Sequence, residues 1–250
     1  MKEFNRLYDT VKILRNPETG CPWDKKQTSK SLLPYFLEEV YELMEAIEND
    51  DYEGIKEELG DVMLHIVFQA ILAEEKALFK IQDVLNEIVA KLIYRHPHVF
   101  GDSQAKEIPE IKKNWEVLKK KKSNKKSILD GVPRGMPSLL KAQRIHEKVS
   151  SIGFDWENEK GVIEKIKEET QELEEVIQEK NQERIYEEFG DLLFALVSLG
   201  KHLNISAEFC LNDAIKKFIK RFKKMELIAG QRITNMNAQE LDELWNKIKK

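Results

Sequence analysis

Apolar residues recur along this chain at helical spacing. Leu33, Phe36, Leu37, Val40, Met44 and Ile47 fall one to four residues apart, and Ile55, Leu59, Val62, Ile66 and Ala70 continue the period after a short polar break. Residues so spaced share one face of a helix, whereas the apolar/polar alternation of a half-buried strand is nearly absent. The break, Glu48-Asn49-Asp50-Asp51, is rich in turn formers, so the pattern predicts two antiparallel helices joined there. The expected fold class is all-α.

The hairpin occurs twice. EEVYEL at 38–43 aligns with EETQEL at 168–173, and the same offset of 130 carries Glu58 to Glu188, Gly60 to Gly190, Asp61 to Asp191 and Trp115 to Trp245. Lys91 and Arg95 align with Lys217 and Arg221 at an offset of 126, so four residues are lost before that point and regained after it. Upstream, GCPWD at 20–24 is echoed by GFDW at 153–156. Duplication of one helical domain accounts for these matches. The polar stretch KKKKSNKKS separates the copies, so the expected organisation is one domain over 1–118, a lysine-rich linker at 119–127 and a second domain over 128–250.

Charge narrows the function. The chain has 41 basic and 45 acidic residues and a net charge of -4, without the basic excess of a dedicated nucleic-acid binder. No apolar run reaches the roughly 18 residues needed to span a bilayer, and MKEFNRLYDT lacks the apolar stretch of a signal peptide. A cytoplasmic location and no membrane association are therefore expected. Cys21 and Cys210 lie far apart without a CxxC pair, so neither a disulfide framework nor a zinc site is indicated. His96 and His98 flank a proline with no third ligand nearby, which favours a structural role.

Each copy reads E-E-x-x-E, then fifteen residues, then E-x-x-D. Residues three apart on a helix share a face, so Glu39 stacks with Glu42 and Glu58 with Asp61. In an antiparallel hairpin facing residues have a constant index sum. Glu39 with Asp61 and Glu42 with Glu58 both sum to 100; Glu169 with Asp191 and Glu172 with Glu188 both sum to 360. The second hairpin turns at Glu179-Lys180-Asn181-Gln182. Helix axes about 8 to 10 Å apart let four such carboxylates converge on one ion, and without a cation they would repel one another. An all-oxygen set suits Mg²⁺ or Mn²⁺. Gly60 and Gly190, each directly before the final aspartate, cost about 1 kcal/mol against alanine in a helix; close approach of backbone or ligand beside the ion is the expected reason.

These segments resemble the MazG family of nucleoside triphosphate pyrophosphohydrolases. Besides the acidic motifs, the resemblance rests on GCPWD, EELGDV at 57–62, RHPHVFGD at 95–102, DGVPRGMPSLLKAQ at 130–143, EEFGDLLF at 187–194 and KKFIKRF at 216–222. It implies two tandem MazG-like helical-bundle domains, homodimerisation, and Mg²⁺-dependent cleavage of ribo- and deoxyribonucleoside triphosphates between the α and β phosphates. Carried onto the C-terminal copy, the metal carboxylates are Glu169, Glu172, Glu188 and Asp191, and the substrate contacts are Arg184, Lys217, Arg221 and Trp245. Arg184 stands where the family often has lysine, and Ile215 where it commonly has asparagine.

The residues themselves fit those roles. Lys217 and Arg221, four apart on one helix, are spaced to grip a triphosphate tail and stabilise charge on leaving pyrophosphate. Trp245 lies on a helix opened by Asn237 and Glu240, a capping-box pattern, and either stacks on a base or fills core. Glu168, one step round the helix from the ligands, is a candidate base. The N-terminal copy keeps Glu39, Glu42, Glu58 and Asp61 as metal carboxylates and Lys91, Arg95 and Trp115 as substrate contacts, with altered spacing. The competing readings are a non-catalytic, metal-dependent nucleotide-binding interaction module, and phosphoribosyl-ATP hydrolysis, which the tandem architecture disfavours.

Overall fold

The protein is described by a computed structural model, which covers residues 2–101, 107, 110, 111, 114, 115, 118 and 126–249. Two compact units divide the chain, Met1–Glu107 and Ile108–Lys250. Most of the lysine-rich segment expected as a linker, 119–125, lies outside the described residues. Helices α1 (Lys2–Leu14), α2 (Pro22–Lys26), α3 (Leu33–Glu48), α4 (Tyr52–Glu75), α5 (Ile81–Arg95) and the short α6 (Pro97–Phe100) build the first unit. Helices α7 (Ser138–Ser150), α8 (Glu159–Glu179), α9 (Gln182–His202), α10 (Ala207–Ala229) and α11 (Ala238–Lys249) build the second, with a 3-10 segment over Gly230–Asn235 before α11. Among the described residues there is no strand, and no helix is long and apolar enough to cross a membrane.

Both turns form where the composition placed them. Asp50 takes φ 53°, and Asp51 caps α4 by accepting from the Gly54 N–H at 3.1 Å. In the second copy Lys180 takes φ 57°, and Asn181 accepts from the Arg184 N–H at 3.3 Å. Asn and Asp suit these positions because their short side chains satisfy the free N–H groups of the following helix.

One long helix organises each unit. α4 packs against α1, α3 and α5, and its second half is buried nearly all round, from His65 and Val67 to Ala73. The core of that unit joins Val67, Phe68, Ile71 and Leu72 to Val11 of α1 and to Leu32. α9 plays the same part in the second unit, packing against α8, α7 and α10. The predicted apolar stripe is only partly covered: Leu33, Leu37, Ile47 and Leu59 each remain more than half exposed. Phe189 and Leu193 on α9, with Phe218, Ile219 and Phe222 on α10, are exposed too.

The GCPWD segment is explained by a tight chain reversal. A Cβ on Gly20 would sit 2.4 Å from the Leu14 carbonyl oxygen, while the Cys21 N–H donates to that oxygen at 2.8 Å. The reversal is tied to α4 by Arg15, whose Nε and Nη2 donate to the two oxygens of Glu75 at 2.6 Å each. In GFDW the corresponding lock is Asp155, which takes Lys201 and His202 from the end of α9. Burial works against its charge, but hydrogen bonds from Lys201, Ser150 and His202 prevail and hold its pKa down to about 2. His96 closes α5 instead of joining a ligand set, its Nδ1 donating to the Leu92 carbonyl at 2.6 Å.

Candidate functional site

The antiparallel register brings carboxylates from both arms of each hairpin together. In the N-terminal unit, oxygens of Glu39 from α3 and of Glu58 and Asp61 from α4 lie within 4.8 Å of one another. Burial and then repulsion from Asp61, Glu42 and Glu58 push the Glu39 pKa up to about 7. Glu58 is raised by burial and by Glu42, Asp61 and Glu57, and the hydrogen bond it shares with Glu39 partly restores it. Glu42 thus stands outside the close trio but acts on both its glutamates.

The C-terminal trio is Glu169 and Glu172 from α8 with Glu188 from α9, again within 4.8 Å. Asp191 falls outside this trio, yet its charge, after burial and those of Glu172 and Glu169, helps raise Glu188. Arg184 pulls Glu188 back toward its ordinary value while also pairing with Glu179 at 2.8 Å. Like-charged oxygens crowded this closely have the donor chemistry of a hard divalent cation site.

Two neighbours of these clusters escaped the sequence reading. Lys165, one turn before Glu169, places its Nζ 2.7 Å from both Glu169 and Glu168. Glu168 is thereby paired, more than half exposed and apart from the trio. Its i to i+3 and i to i+4 spacing was the available signal, one diluted among many such pairs in a Glu- and Lys-rich helix. His65, one turn after Asp61, is buried against Phe36, with its Nε2 3.9 Å from Glu39. A histidine on an otherwise apolar helix face was its trace in the sequence.

The candidate substrate contacts lie on other helices. Lys217 and Arg221 stand a turn apart on α10, the first exposed and the second half-buried. Trp245 rests half-buried on α11 with its ring 5.0 Å from that of Phe218, the residue next to Lys217. The start of α11 is the full capping box: Asn237 N–H donates to Glu240 at 2.8 Å, and Glu240 N–H to the Asn237 side chain at 3.0 Å. In the first copy Lys91 and Arg95 are half-buried on α5, Lys91 at 3.7 Å from Glu87. Trp115 is half-buried and falls in the residue range of the second unit. Gly60 and Gly190 differ from expectation: beyond its own helical turns a Cβ at either meets nothing within 4 Å, so close approach of another backbone within the unit is not their reason.

Helical hairpins that twice gather acidic side chains from both arms, each preceded by a helix docked on the second arm, define a tandem all-α protein with a duplicated carboxylate cluster. The MazG nucleotide pyrophosphohydrolase domain matches residues 27–100 and 157–226, one match over each hairpin. The chain is 45% identical over 251 residues to the nucleoside triphosphate pyrophosphohydrolase/pyrophosphatase MazG of Thermotoga maritima, covering 98% of this chain and 95% of the relative. It is 39% identical over 261 residues to the nucleoside triphosphate pyrophosphohydrolase of Escherichia coli K12, covering 100% and 98%. This chain belongs to the MazG nucleotide pyrophosphohydrolase family, and is by that membership an enzyme, a hydrolase.

Proposed function

We propose that the chain is a cytoplasmic, homodimeric, Mg²⁺-dependent nucleoside triphosphate pyrophosphohydrolase that converts ribo- and deoxyribonucleoside triphosphates of broad base type to monophosphate and pyrophosphate. The observation that carries this reading is the convergence of carboxylates from two helices, in both copies, at the loci where the family domain matches. Glu169, Glu172, Glu188 and Asp191 would hold the ion in the C-terminal copy, and Glu39, Glu42, Glu58 and Asp61 in the N-terminal one; Mn²⁺ fits the same oxygens. Bound there, the ion supplies charge neutralisation for the triphosphate and an orienting centre.

The chain's own residues supply the rest. Lys217 and Arg221, with Arg184 beside Glu188, take the anionic tail and stabilise charge on the leaving group. Lys91 and Arg95 are the N-terminal counterparts of Lys217 and Arg221, while Trp115, the counterpart of Trp245 in the sequence, falls in the residue range of the second unit. Trp245 offers the exposed part of its ring to a base. Water adds in line at the α-phosphorus, the bond to the bridging oxygen breaks, and pyrophosphate departs. Glu168 is the candidate to relay the proton of that water to solvent. Exposed Phe189, Leu193, Phe218, Ile219 and Phe222 support a dimer, since a second copy would bury them.

Pyrophosphate release from each of the eight common triphosphates, with and without Mg²⁺, tests the reading. Turnover is expected only with the ion, and labelled water should leave its oxygen in the monophosphate. Glu172→Gln with Asp191→Asn should lower kcat at least a hundredfold while the far-UV circular dichroism spectrum and melting remain those of a folded protein, a size of loss usual when a charge-stabilising group is removed. Orthophosphate and diphosphate as first products would overturn the assignment.

A further inference from the structure

The two carboxylate clusters are not electrostatic copies of each other. In the C-terminal cluster the Lys165 Nζ stands 2.7 Å from Glu169, whose side chain is only 6% exposed, so solvent screens this contact little. The offset of 130 puts Tyr35 at the corresponding place in the N-terminal copy. Tyr35 brings no charge, and its ring meets Trp23 edge-on at 5.8 Å. Among the described residues the side chain that pairs with Glu39 there is His65, whose Nε2 at 3.9 Å is beyond hydrogen-bond reach. The same offset pairs Arg184 with Gly54, so the second cation of the C-terminal cluster also lacks a counterpart.

We propose that Lys165 is a built-in counter-ion that competes with the divalent cation for Glu169, so that the C-terminal copy binds the free ion more weakly than the N-terminal copy does. The proposal rests on the metal reading of both clusters given above. An ion ligated by the Glu169 oxygen has to displace the ammonium or share the oxygen with it, and the displaced ammonium loses a charge-assisted hydrogen bond. At Glu39 no ammonium has to be displaced, and the proton that burial and its neighbours hold there up to a pKa of about 7 is largely gone at pH 8. Lys165 is a positioning and affinity-setting residue in this scheme, acting through Glu169, and the charge-assisted hydrogen bond that the ion has to displace corresponds to about 10- to 100-fold in affinity.

Titration of the full-length protein at pH 8 with Mn²⁺, reading free ion by its electron paramagnetic resonance signal, tests this without reference to turnover. Two classes of site are expected, with Glu58→Gln abolishing the tighter and Glu188→Gln the weaker. Lys165→Met and Lys165→Gln should each tighten the weaker class by roughly tenfold or more, and Tyr35→Lys should weaken the tighter class. Melting curves confirm that each variant is folded. Equal affinities in the unaltered protein, or a weaker class unmoved by both Lys165 substitutions, would overturn the counter-ion role while Glu58→Gln and Glu188→Gln still abolish binding. Loss of Mn²⁺ binding altogether, or indifference to those two glutamine substitutions, would instead sink the metal reading and the proposal with it.

Discussion

Glu39 shows how a single side chain records the demands of its site. Its carboxyl is pushed up to about 7 because burial and three neighbouring acids oppose its charge. A folded-state pKa above the unfolded one means that this group favours folding below about 4.5 and that the contribution is lost as the pH rises through 7. A divalent ion bound to the ionised cluster offsets the repulsion that appears above that pH. Mg²⁺ should therefore raise the melting temperature of the protein more at pH 8 than at pH 5.5, and Glu39→Gln should shrink the difference. An equal Mg²⁺ shift at both pH values would show that Glu39 does not report on the ion.

At the scale of elements, the hairpins and their caps decide what the side chains can reach. Asn237 and Glu240 close the first turn of α11 reciprocally, and that helix holds Trp245 against Phe218. Asn237→Ala should cost about 1 kcal/mol of stability in urea unfolding, the usual worth of an N-cap. If Trp245 also meets substrate, the same change should raise KM more than it lowers kcat; an unchanged KM would confine Trp245 to packing. The capping box was legible in the sequence because both partners sit three residues apart. So was the hairpin register, since one index sum fixes every facing pair. Burial was not: Leu33, Leu37 and Leu59 lie on the predicted apolar face yet stay exposed, because helical spacing shows which residues share a face and not what covers it. Lys165 and His65 were hidden for a related reason. Each reaches Glu169 or Glu39 through a contact whose significance depends on burial, which the sequence does not state.

The whole molecule repeats one design: a docked leading helix, a carboxylate hairpin and a following helix that carries a Lys/Arg pair one turn apart. In the second unit α7, α8, α9 and α10 pack on one another, and Arg184, Lys217, Arg221 and Trp245 all come from that unit. A fragment spanning residues 108–250 is therefore expected to fold without the first unit and to release pyrophosphate from triphosphates in the presence of Mg²⁺. The exposed apolar residues of α9 and α10 would leave a monomer with a large unsatisfied surface, so the fragment should sediment as a dimer. Charge substitutions there, such as Leu193→Glu with Phe222→Glu, should lower the mass in solution toward that of one chain. The first unit keeps its own acidic cluster but has different spacing to Lys91 and Arg95, so the fragment 1–107, assayed alongside, is expected to be the slower hydrolase of the two. A folded, dimeric 108–250 fragment without turnover, beside an active 1–107 fragment, would move the main catalytic site to the N-terminal copy. The tighter ion affinity proposed for that copy would then accompany catalysis there.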